Sequence, residues 1–124
     1  MTRRDKCLWI LVPLIGDFVA QRGWLHGVGI SHVRLGGHLI HHLFFGILLL
    51  VPAALSLAFE PGPRRLRASL AMLGLSMGMI ADEFYYLVFT AADDAAYLAS
   101  FGPALASILL CAAVVMLISQ APAE

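Results

Sequence analysis

Charge is what this chain has least of. Asp, Glu, Lys and Arg make up 13% of its 124 residues against 60% hydrophobic ones, with a mean hydropathy of +0.86. That balance argues against a water-soluble domain and for a polytopic membrane protein. Net charge is missing too: eight Lys and Arg offset eight Asp and Glu. No long-range field draws nucleic acid or an acidic partner, and no basic patch contradicts that. Cysteine is nearly absent. Cys7 and Cys111 lie in the first and last apolar runs, with no spacing that makes a metal knuckle, and read as small buried hydrophobes. The helical zinc and di-iron signatures HExxH and ExxH do not occur, nor do phosphate loops or dinucleotide fingerprints.

What is present is apolar sequence in runs long enough to span a bilayer. At about 1.5 Å per residue, the run 37–59 covers the roughly 30 Å hydrocarbon core. Similar runs at 68–90 and 97–119, and a shorter one at 7–21 containing Pro13, predict four transmembrane helices in one all-α membrane domain covering 1–124. Arg3, Arg4 and Lys6 precede the first run, but Phe18-Val19-Ala20 is no small-residue cleavage pattern, so the segment reads as a retained helix rather than a signal peptide. The glycine-rich stretch 22–36 reads as an interfacial link carrying Trp24, His26 and His32. The three N-terminal cations and Arg64, Arg65 and Arg67 belong on one side, and 91–96 has none. The expected topology is a multi-pass protein of the cell inner (plasma) membrane, N-in and C-in.

Ionisable groups inside apolar runs are expensive and normally functional. His38, His41 and His42 open the second run, Asp82 and Glu83 lie late in the third, and Asp17 lies late in the first. With alternating helices all of them fall in the outer leaflet. His38 and His42, four apart, share a helical face with Gly46, and Gly74, Gly78 and Asp82 form a small-residue stripe that lets a neighbouring helix approach closely. Glu83 falls on a different stripe, with Ser76, Met79 and Tyr86. Antiparallel packing of the second and third helices brings either carboxylate to the histidines.

Imidazoles and carboxylates at one depth suit a transition metal, zinc or iron first. The expected ligands are His38, His41, His42, Asp82 and Glu83. His38 and His42 are the favoured pair and Asp82 the first acid, with Glu83 an alternate ligand or general base. Such a site fits an enzyme acting on membrane lipid. Two other classes use the same residues: a module passing metal ions or protons, and an accessory subunit whose histidines ligate a haem or chlorophyll-type macrocycle. A chain this short makes a thin bundle, so a homo-oligomer or a larger membrane complex is expected. Against all of these stands hydrogen-bonded packing, and His26 and His32 read as link residues rather than ligands.

The segments HLIHHLFFGILLL and GLSMGMIADEF together resemble small four-helix prokaryotic membrane proteins in which a histidine-rich helix precedes a glycine-rich helix ending in an Asp-Glu pair. The likeness covers the second and third helices and implies shared roles for His38, His41, His42, Asp82 and Glu83, without implying an activity. The HxxxH of His38 and His42 is also loosely similar to intramembrane zinc hydrolases of the ceramidase type. Those have seven helices and a different order of motifs.

Overall fold

The third apolar run is small-sided along one face, and that face makes it the centre of the molecule. The computed structural model describes residues 1–28 and 33–121. Along the chain it has α1 (Arg3–Val28), β1 (Val33–Leu35), β2 (His38–Ile40), α2 (His42–Ala58), α3 (Pro63–Phe89), α4 (Asp94–Ala99) and α5 (Phe101–Gln120). Helix α3 packs against α1, α2 and α5. A Cβ added to Gly74 would run into the Ile10 carbonyl oxygen, and one on Gly78 would sit 2.9 Å from that of Leu14, so the α1 and α3 backbones touch. On the other side Gly46 of α2 lies against the Ser76 carbonyl, Met79 and Ile80, each 3.0 Å from an added Cβ. Leu14, Phe18, Ala81, Ala104 and Ile108 from α1, α3 and α5 fill the core.

Contacts along the helices fix their directions. Ile10 beside Gly74 and Arg22 beside Asp82 make α1 and α3 parallel. The hydrogen bonds Ser69 to Ser56, Ser76 to the Gly46 carbonyl and Leu43 to Glu83 make α2 antiparallel to α3. Phe18 packs on Phe101 near one end of α5, and Arg3 bonds the Ala121 carbonyl near the other, so α5 is antiparallel to α1. The four long helices therefore alternate, and both described ends of the chain lie at the same end of the bundle. Val12, Val19, Leu48, Val88, Leu109 and Leu117 are among the many large apolar side chains left on its exterior.

Three sequence expectations change. The first helix runs well past Gln21, carrying Arg22 and His26 into regular structure, with the His26 ring on the Arg22 carbonyl. The second helix does not begin at Gly37. Residues Val33–Leu35 and His38–Ile40 instead pair antiparallel, in the register Leu35 opposite His38, around Gly36 and Gly37. Both glycines have positive φ, +57° and +84°, the conformation a two-residue hairpin turn demands and other residues resist. The fourth helix is broken at Ser100 into a short α4, capped by the Asp93 carboxylate on the Ala96 amide, and the long α5. His32 lies outside the described residues.

The protein is mostly helical, as expected, with one short hairpin added. Two helices, α3 and α5, are long and apolar enough to cross a membrane. Helix α2 has 17 residues, about 25 Å at the helical rise, and α1 carries charge within its length.

Candidate functional site

The end of the bundle away from the chain termini holds a buried set of charges. Asp82 is wholly buried on the α3 face that meets α1, one turn beyond Gly78. Arg22, 3% exposed, reaches it from α1, its Nε donating to Oδ1 at 2.6 Å. The guanidinium also donates to the Tyr97 carbonyl at 2.7 Å, to Ser100 Oγ at 3.2 Å and to the Asp82 carbonyl at 3.3 Å. It stacks 4.0 Å from the centre of the Tyr97 ring. Tyr97 Oη in turn donates to Asp82 Oδ2 at 2.6 Å. The break between α4 and α5 thus has a use: it turns the Tyr97 carbonyl and the Ser100 hydroxyl toward Arg22. This guanidinium, set aside in the sequence as part of a link, is the main cation partner of Asp82.

His42 stands between the two carboxylates. Its Nε2 is 3.0 Å from Asp82 Oδ2 and its Nδ1 is 3.1 Å from Glu83 Oε1. Of these two contacts the Nε2–Asp82 one is a hydrogen bond, and the Nδ1–Glu83 one lies within ion-pair distance. Arg22 is the fixed cation set against buried Asp82, where a charge without a partner is costly.

Glu83 has a further task. Helix α2 starts without a side-chain cap of its own, and Glu83 Oε2 accepts the Leu43 amide at 2.8 Å. A carboxylate from α3 therefore closes the amino end of α2, where exposed N–H groups and the helix dipole favour negative charge. The Glu83 Oε1 atom also lies 3.3 Å from Nδ1 of His41. Among the described residues His41 Nε2 makes no hydrogen bond, and His41 lines a cavity of about 270 Å³. The hairpin supplies one wall, through Val33, Leu39 and Ile40. His42, Phe45, Met79 and Tyr86 contribute to the others.

His38 does not join this group. It is exposed on β2, because the hairpin and not a helix turn precedes His42, so the expected His38–His42 face does not exist. The ligand set expected for zinc or iron is thereby reduced to His41, His42, Asp82 and Glu83. These point at one another rather than at a common centre. Among the described residues no three His, Cys, Asp or Glu side chains are disposed to hold a metal ion. Gly74 to Gly78 spells G-x-S-x-G, but Ser76 lies mid-helix with its hydroxyl on the Gly46 carbonyl, not on the strand-to-helix elbow that exposes a nucleophile. Comparison with protein-family models, curated proteins and solved structures gives no match.

Proposed function

We propose that this chain is a four-span integral membrane protein of the inner membrane, with both ends cytoplasmic, whose outer end is a proton-exchanging binding site. The observation that carries the reading is the His41–Glu83 pair: a carboxylate fixed by the Leu43 amide orients the imidazole through Nδ1. That leaves Nε2 toward the cavity, the arrangement of a general base or proton donor. The Arg22–Asp82–His42 cluster behind it is scaffolding that holds α1, α2, α3 and the α4–α5 break in register.

The cavity suits a small, partly apolar molecule, with Leu39, Ile40, Phe45 and Met79 around one acid–base pair. Trp24 and Phe45 line it and are exposed on the bundle exterior, so membrane lipid is its nearest source of ligand. Leu14, Phe18, Ala81, Ala104 and Ile108 fill the bundle interior, which favours binding over passage. A zinc or iron ion ligated by His42 would take at least one ring nitrogen away from the carboxylate beside it, so acid–base chemistry is the preferred reading.

Diethyl pyrocarbonate, which acylates an imidazole nitrogen only when it is free, tests this. In a His26→Gln, His32→Gln, His38→Gln background the reagent should modify His41 and spare His42. Modification of both, of neither, or of His42 alone would count against the assignment.

A further inference from the structure

Among the described residues, Asp17 is the one buried charge-bearing side chain that the cluster leaves out. It lies on the inward face of α1 between Leu14 and Phe18, both core residues, and is 9% exposed. Its Oδ1 has a single, long contact with the Gln21 amide nitrogen at 3.5 Å. Its Oδ2 is buried with no hydrogen-bond partner among the described residues. That oxygen sits in the space a side chain at position 78 would need, 3.0 Å from an added Cβ on Gly78. The carboxyl is thus pressed into the crossing of α1 and α3, one turn deeper than the Arg22–Asp82 pair.

Among the described residues, no cation is paired with a carboxylate there. The nearby Arg22 guanidinium donates to Asp82, and the His42 ring lies against Asp82 and Glu83. Transfer of an isolated carboxylate into apolar surroundings is so costly that such a group takes up a proton instead.

We propose that Asp17 is a proton-binding site, a neutral carboxylic acid held at the α1–α3 crossing, and that it is the residue a lipid-soluble carbodiimide modifies. In that reaction the acid proton passes to a carbodiimide nitrogen and the carboxyl oxygen bonds to the central carbon. The O-acylisourea then rearranges to a stable N-acylurea, with no leaving group and no other reactant. Asp82, held as a carboxylate by Arg22 and Tyr97, has no proton to give and is spared. This inference does not depend on the His41 reading, which can fail while Asp17 stays protonated.

Infrared spectra of the full chain in lipid bilayers at neutral pH test it. The carbonyl stretch of a protonated acid should be present in the wild type and lost in Asp17→Asn, which keeps the side-chain shape. Absence of the band from the wild type, or its persistence in the variant, overturns the proposal. Should Asp17→Asn fail to fold, dicyclohexylcarbodiimide treatment of the wild type decides. Loss of the band with the added mass on the peptide containing Asp17 supports the assignment, and added mass at Asp82 or Glu83 instead refutes it.

Discussion

The two halves of α3 are held to their neighbours in opposite ways. Toward its end, Asp82 and Glu83 bind α1, α2 and the α4–α5 break through charge and hydrogen bonds. Nearer its middle, Gly74 and Gly78 bind α1 by closeness, backbone on backbone. The division follows from where charge can be tolerated. Near an end of the bundle a charged cluster can be neutralised by groups arriving from several elements. In the middle no charge pairs are made to α1, and helices gain attraction there by letting small residues bring their backbones together.

The charge-held half should break hardest. Arg22→Met strands Asp82 in the interior with its main cation gone, a change that typically costs about 3–5 kcal/mol. Unfolding in detergent should shift accordingly, and Arg22→Met with Asp82→Leu should recover most of the loss. If Arg22→Met alone costs less than about 1 kcal/mol, well below that range, the two halves do not differ as described.

The shape-held half should respond to a single methyl group. Gly74→Ala forces α1 away from α3 and should cost about 1–3 kcal/mol. Gly102→Ala, where an added Cβ meets nothing within 4 Å, should cost nothing by the same measurement. Equal behaviour of the two variants would mean the α1–α3 contact is looser than the backbone spacing implies.

A comparison of the two ends of the bundle can be sharpened without disturbing stability. In a Cys7→Ser, Cys111→Ser background, Ala95→Cys should react with an impermeant maleimide added to intact cells. Arg65→Cys should react only after permeabilisation. The reverse pattern would turn the protein over and move the acid–imidazole site to the cytoplasmic face.

The meeting of Asp82 and Glu83 with His41 and His42 was legible in the sequence, because antiparallel neighbours joined by a short link must align residues at matching depth. The glycine stripe was legible for the same reason, as small residues four apart admit a helix. Arg22 was missed because the apolar run stops at Gln21 and glycines follow. Tertiary bonds to Asp82, Tyr97 and Ser100 carry the helix through them, overriding weak local propensity. A signal was there: a carboxylate placed in an apolar run demands a cation, and Arg22 lies at the right end. His38 was misplaced because the hydropathy of Gly37 to Phe59 is continuous, which masks the Gly36-Gly37 pair between two short strands. That pair is a hairpin signature in its own right.

The Arg22–Asp82 pair also constrains the order of events during synthesis. The partners are 60 residues apart in the chain, a separation that takes roughly 3–12 s to translate at about 5–20 residues per second. For that interval the guanidinium has emerged and its carboxylate has not. In the membrane orientation proposed above, its position near that end of α1 would let it wait among lipid headgroups, its aliphatic stem in the hydrocarbon and its charge in water. The end of α1 is therefore drawn fully into the bundle only when α3 delivers Asp82, and the later arrival of Tyr97 and Ser100 closes the assembly behind it.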